Sequence, residues 1–183
     1  MKAIIFDRDG TLIEFVDFLY RDNEVVINKD FLPTLKFLNK IKSVKFFIHT
    51  NQSGVFRGMF EIEDVHKCNK KIFEILHKKY NINLFIEKIY IAPSFSSIYR
   101  KPTDQVVLEV EKEFNLQRND ILYIGDTMAD YQTAINSGTQ FIIYRGYASK
   151  PIDEVLKVEN KYIANDDLEL FAMVNRFINE SND

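Results

Sequence analysis

Residues 3–12 read AIIFDRDGTL. Four apolar residues suit a strand buried on both faces, but they run straight into Asp7-Arg8-Asp9-Gly10-Thr11. Clustered carboxylates repel unless something cationic stands between them. A strand that ends on two acids, an arginine and a glycine therefore predicts a site where charge is gathered for use.

Four more apolar runs follow: KFFIHT (45–50), KIYIAP (88–93), ILYIG (121–125) and QFIIY (140–144). Helical spacing fills the gaps between them. Phe31, Leu35 and Leu38 step through the first, Val65, Ile72, Ile75 and Leu76 through the second, and Val106, Val110 and Phe114 through the third. MADYQTAINSG (128–138) ends on a glycine suited to a helix C-terminus, and a last helix is expected from about 166 to 177. Strands alternating with helices predict a Rossmann-like three-layer α/β/α fold around a mainly parallel sheet. The stretch 145–165 reads as an extended tail leading into the final helix. No repeat, low-complexity run or Gly/Ser linker breaks the 183 residues, so residues 1–183 are expected to form one domain.

A net charge of −3 does not favour a general nucleic-acid surface. The lone Cys68 excludes an intrachain disulfide and a cysteine-based metal cluster, and its helical surroundings suit a structural thiol. An acid arrives at position 7 and no apolar run approaches the roughly 20 residues of a membrane helix. The expectation is a soluble, cytoplasmic protein with no membrane contact.

In open parallel sheets, ligands bind beyond the carboxyl ends of the strands. Polar residues gather there four times: DRDGT after the first run, TNQSG after the second, RKP beyond the third and GDTMAD after the fourth. Phosphate-ester hydrolysis needs such a set: a nucleophile, a proton for the leaving oxygen and positive charge for the phosphoryl group. Asp7 could serve as nucleophile and metal ligand, and Asp9 as proton donor. Gly10 permits the sharp departure from the strand. Thr50 offers a hydroxyl to a phosphoryl oxygen, Lys101 neutralises nucleophile and phosphate, and Asp126 completes a site for Mg²⁺, a cation that favours oxygen ligands.

These segments resemble the haloacid dehalogenase superfamily of phosphohydrolases. Asp7, Asp9, Gly10 and Thr11 fit its DxDGT motif; Thr50 fits the second motif, Lys101 the third, and Asp126 with Asp130 the fourth. The intervals leave no room for a large cap domain. FDRDGTLI, TNQSGVFRG, YRKP and GDTMAD resemble more closely the branch of D-glycero-D-manno-heptose 1,7-bisphosphate and histidinol-phosphate phosphatases, over about residues 2–146. The resemblance implies an aspartyl-phosphate intermediate, with Asp7 as nucleophile and Asp9 as general acid. It implies Mg²⁺ held by Asp7, the Asp9 carbonyl and Asp126, and Asn51, Gln52, Ser53 and Arg100 at the substrate, a small phosphorylated metabolite such as a heptose bisphosphate.

The sequence departs from that branch in three places. A zinc-binding loop with Cys and His is usual before RKP; here APSFSSIY has neither, so no zinc is expected, and Phe95, Ile98 and Tyr99 are expected to hold the loop by packing. Ile13 and Thr127 replace a common Asn and Lys. Asp130 reads as support for the site or as a helix-face acid, Arg57 as a second-phosphate contact or a loop brace, and Arg8 as a substrate contact or an outward side chain. His49 reads as strand packing. Histidinol-phosphate phosphatase and polynucleotide 3′-phosphatase stand as alternatives, the latter disfavoured by the acidic balance. A phosphorylatable switch domain would lack Asp9, and an inactive binding module would be expected to have lost one of Asp7, Asp9, Lys101 or Asp126. The oligomeric state is not legible.

Overall fold

In the computed structural model, the described residues are 1–145 and 162–180. Five of the six strands lie where the apolar runs predict: β1 (Lys2–Phe6), β2 (Val44–Asn51), β3 (Ile86–Ala92), β4 (Ile121–Gly125) and β5 (Gln140–Tyr144). The sixth, β6 (Ile163–Ala164), is a two-residue strand that the sequence pattern did not indicate. The helices are α1 (Leu32–Leu38), α2 (Ile62–Tyr80), α3 (Gln105–Phe114), α4 (Met128–Ser137) and α5 (Asp167–Asn179). The tail expected over 145–165 falls mostly outside the described residues, and the helix expected at 166–177 is α5.

All the paired strands are parallel, in the order β3-β2-β1-β4-β5-β6. Alternation in β1 feeds two cores. Ile4 and Phe6 join Leu35, Cys68, Ile72, Leu170 and Val174 on the side of α1, α2 and α5. Ala3 and Ile5 join Val106, Val110 and Ala134 on the side of α3 and α4. Each such side chain, fully buried, contributes about 1.5–3 kcal/mol, so an apolar strand with cover on both faces is the stable arrangement.

The helices begin and end on local chemistry. Thr127 and Asp130 form a reciprocal capping box at the start of α4, and Gly138 (φ 69°) closes it in the left-handed conformation. α2 opens on a similar box between Glu61 and Asp64. The chain leaves β1 for β2 and β3 on one side, then returns to β4 on the other, so strand order reverses about β1. The crevice beyond the carboxyl end of β1 is thus the place where a ligand belongs. Among the described residues, no inserted folded unit stands between the strands around it.

Candidate active site

Asp7 extends β1 by one step, its N–H bonded to the Ile124 carbonyl at 2.8 Å, so its side chain is carried to the junction of β1 and β4. There the Lys101 ammonium bonds Asp7 Oδ1 and, at 2.7 Å, Asp130 Oδ1. Asp130 is fixed in turn by its capping partner: Thr127 N–H and Oγ1–H donate to its Oδ2 at 3.0 and 2.5 Å. Asp126 sits at the end of β4 and takes a long 3.5 Å bond from the Thr11 hydroxyl on Oδ1. Among the described residues, its Oδ2 is buried without a hydrogen-bond partner. Oxygens of Asp7, Asp126 and Asp130 lie within 4.8 Å of one another.

The glycines make this closeness possible. A Cβ on Gly10, which has φ 85°, would collide with the Asp126 carboxylate, and one on Gly125 with that of Asp130. Burial pushes the Asp7 carboxyl up from 3.8 to about 7, with Lys101 opposing and Asp130 and Asp9 adding to the rise. Burial, then Asp7 and Asp130, raises Asp126 well above the ordinary carboxylate range. Burial works against the Lys101 charge, but Asp130 and Asp7 outweigh it and hold the ammonium protonated. With all three ionised, these carboxylates would exceed the one ammonium by two negative charges in a buried place, and the raised Asp7 and Asp126 register that excess. An unpartnered carboxylate oxygen and that excess both suit a divalent cation with oxygen ligands.

Asp9 lies in a different setting. Its carboxylate receives Arg8 Nε and Nη2 at 3.0 and 2.9 Å, Thr50 Oγ1 at 3.1 Å and Gln52 Nε2 at 2.9 Å. Arg8 is not an outward side chain, and it lines the cleft beside Asp9. It is fully buried and spans from Asp9 to the Asn69 side chain on α2, Nη1 donating to Oδ1 at 3.0 Å. Thr50 is spent on Asp9 here and also accepts from Gln52 at 2.8 Å. Asp9, Gln52, Ser53, Asp17 and Phe18 line a cleft of about 160 Å³.

The remaining expected residues form the rim. Both ends of the Asn51 amide engage the Lys101 backbone, Oδ1 accepting from N–H at 3.0 Å and Nδ2 donating to the carbonyl at 3.5 Å. Arg57 lies over the rings of Phe18 and Phe95, at 5.6 and 5.5 Å, and Arg100 over Phe95 at 4.5 Å. Among the described residues, neither guanidinium has a carboxylate partner. The loop before Lys101 is held less as expected: Tyr99 anchors it against Tyr90 and through Glu109, at 3.0 Å, while Phe95 and Ile98 are 48% and 63% exposed. Neither side chain joins the two cores, and Phe95 meets Phe56, Arg57 and Arg100 at the rim instead.

Some contributors escaped the sequence reading. The T-x-x-D spacing of Thr127 and Asp130 is itself a capping-box signal. Asn69 gives no signal, since only the packing of α2 brings it to Arg8. Ile13 bridges Asp9 and Ile27 and is fully buried, so the site's first loop is closed by an apolar residue. His49 packs inside β2, as expected, but uses both ring nitrogens.

Known proteins resemble this chain in sequence and in fold. A profile of the family described as polynucleotide kinase 3 phosphatase matches residues 2–168. The D-glycero-alpha-D-manno-heptose-1,7-bisphosphate 7-phosphatase of Campylobacter jejuni subsp. jejuni is 27% identical over 146 residues, which are 78% of this chain and 82% of that protein. The histidine biosynthesis bifunctional protein HisB of Campylobacter jejuni subsp. doylei is 30% identical over 158 residues, 83% of this chain and 44% of that one. The fold matches a D,D-heptose 1.7-bisphosphate phosphatase from B. bronchiseptica, crystallised with magnesium and phosphate. The TM-score is 0.79 at 18% identity, over 96% of this chain and 99% of that one. With a family match across nearly its whole length and the four motif segments gathered at one sheet end, this chain belongs to the polynucleotide kinase 3 phosphatase family of haloacid dehalogenase superfamily phosphatases.

Proposed function

We propose that the chain is a Mg²⁺-dependent phosphomonoesterase working through an aspartyl-phosphate, on a small sugar bisphosphate of the D-glycero-D-manno-heptose 1,7-bisphosphate type. The observation that carries the reaction is the Asp7–Lys101–Asp130 arrangement at the reversal of strand order, with Asp126 alongside. An Asp7 oxygen attacks phosphorus, the bond to the leaving oxygen breaks, and Asp9 gives that oxygen a proton. In the second half Asp9 takes a proton from water, the water oxygen bonds phosphorus, and the acyl-phosphate bond breaks to release inorganic phosphate and Asp7. The four donors around Asp9 suit the carboxylate that this second half requires. Lys101 holds Asp7 and offers positive charge to the phosphoryl group.

Asp7, Asp126 and the Asp9 carbonyl would hold the cation. Bound Mg²⁺ supplies charge stabilisation to the phosphoryl oxygens and lets Asp7 stay ionised. Asp130 belongs to Lys101 and Thr127 in this reading. Gln52 and Ser53 face the cleft and would contact the sugar, while Asn51 acts through the Lys101 backbone. Arg57 and Arg100, both without carboxylate partners among the described residues, favour a substrate with a second anionic group, as a bisphosphate has.

A second reading has one observation in its favour: the rim is aromatic, with Phe56 65% exposed and set edge-on to Phe95. Such faces also suit a planar ring, as in a 3′-phosphorylated nucleotide or histidinol phosphate.

Phosphate release with Mg²⁺ decides the matter, from both heptose 1,7-bisphosphate anomers, histidinol phosphate and a 3′-phosphorylated oligonucleotide. Preferential turnover of one heptose anomer, lost on chelation, is the expected result. Preference for the oligonucleotide or histidinol phosphate would replace the heptose assignment and leave the reaction standing.

A further inference from the structure

We infer that His49 is a positioning residue for Lys101, holding the segment that carries the lysine by a hydrogen bond to the Tyr99 carbonyl. His49 is fully buried in β2, its ring edge-on to Tyr123 at 6.0 Å. Nε2 stands 2.5 Å from Tyr99 O, and Nδ1 2.9 Å from the Tyr123 hydroxyl. A carbonyl only accepts, so Nε2 carries the proton, Nδ1 offers its lone pair, and Tyr123 donates. Burial, and then the Lys101 charge, push the imidazole down to about 3, so the ring keeps this neutral form.

The arrangement follows strand periodicity. His49 and Asn51 are two apart in β2 and share a face. Tyr99 and Lys101 are two apart in the opposite segment. His49 takes the Tyr99 carbonyl and Asn51 takes the Lys101 N–H at 3.0 Å, so two side chains act as rungs that set the segment's register against the strand. From there the lysine reaches Asp7 and Asp130. On the far side of the imidazole, burial raises the Tyr123 hydroxyl well above its ordinary value, with Lys101 opposing and Asp130 and Asp7 adding, so the phenol keeps the proton it donates to Nδ1. A lysine side chain has four flexible carbons, and fixing its Cα is what makes its Nζ position reproducible. A displacement of about 1 Å at a catalytic group can cost on the order of 10²-fold in rate.

This inference rests on the reading that Lys101 serves the phosphoryl transfer. The test compares the wild type with His49→Phe, which keeps the ring shape and loses both nitrogens, and His49→Gln, whose amide retains a donor. kcat and KM for p-nitrophenyl phosphate with Mg²⁺ are read together with the melting temperature. For His49→Phe, kcat is expected to fall about 10- to 10²-fold with KM within about threefold, and His49→Gln to recover most of the loss. Tyr123→Phe, a smaller change for the fold, is expected to lower kcat about three- to tenfold in the same pattern. It decides the matter should His49→Phe not fold, unchanged kcat then overturning the inference. A folded His49→Phe with unchanged kcat, or a His49→Gln no better than His49→Phe, overturns it too. Absence of turnover by the wild type on p-nitrophenyl phosphate and on every member of the substrate panel would overturn the phosphatase reading together with this one.

Discussion

Asp7 and Asp9 leave the same strand two residues apart and meet opposite electrostatic surroundings. Around Asp7, Lys101 is shared with Asp130, Asp126 crowds in without it, and the Asp7 carboxyl is pushed up to about 7. Around Asp9, Arg8 gives two hydrogen bonds, and Thr50 and Gln52 one each. One region is short of positive charge and the other is balanced. A region that stays in deficit once the described side chains around it are counted suits a cation from outside the chain, whereas a balanced one can move a proton without a cation's help. The division of labour between two acids of one motif thus follows from who stands beside each.

The largest effect should come from cutting into the deficit itself. Asp7→Asn removes the attacking oxygen and is expected to lower turnover by on the order of 10⁴-fold or more. It also removes one of three crowded charges, so without divalent cation its melting temperature should be no lower than that of the wild type. A clear fall in melting temperature would show that the crowd was not under repulsion. Next comes the balanced side. Asp9→Asn keeps an acceptor for Arg8 and loses the proton, and should slow an alkyl phosphate about 10²- to 10⁴-fold. In the first turnover of p-nitrophenyl phosphate, whose leaving group needs no proton, the loss should be much smaller. Equal losses on both substrates would falsify the assignment of Asp9 as acid.

The smallest effect is thermodynamic. Asp7 has a folded value near 7 against an ordinary 3.8, so between those values the folded chain binds more protons than the unfolded one. Its contribution is present below about 4 and lost as pH rises through 7. His49, lowered to about 3, acts in the reverse sense, with stability lost as pH falls below 6.5. The difference between wild type and Asp7→Asn isolates the first: without divalent cation, wild-type stability should fall relative to the variant from pH 4 to above 7. Magnesium should restore it, by about 2.7 kcal/mol at one hundred times its dissociation constant. Calorimetry across that range, with and without Mg²⁺, would show no such divergence if the deficit were compensated within the chain.

Much of this was legible before any coordinates. Apolar runs such as AIIF and ILYIG are strands because only a sheet covered on both faces lets every residue of a run be buried, and the polar residues at their ends mark the ligand side. β6 was not legible, since two residues carry no periodicity. The inward course of Arg8 was not decidable for a related reason: an arginine between two acids can turn outward unless a partner such as Asn69 on α2 comes to meet it. Phe95 and Ile98 looked like packing because they are apolar, but burial depends on having a surface to pack against, and this loop has little.

The sequence by itself determined the fold class, the order of the strands' functional ends and the kinds of group gathered there, because these follow from patterns a few residues long. Tertiary structure alone decided which carboxylates share the lysine, which acid is paired with an arginine, and which buried oxygen is left without a partner. Those are properties of distances between segments far apart in the chain. Charge interactions change steeply with a few ångströms and with burial, neither of which the order of residues records.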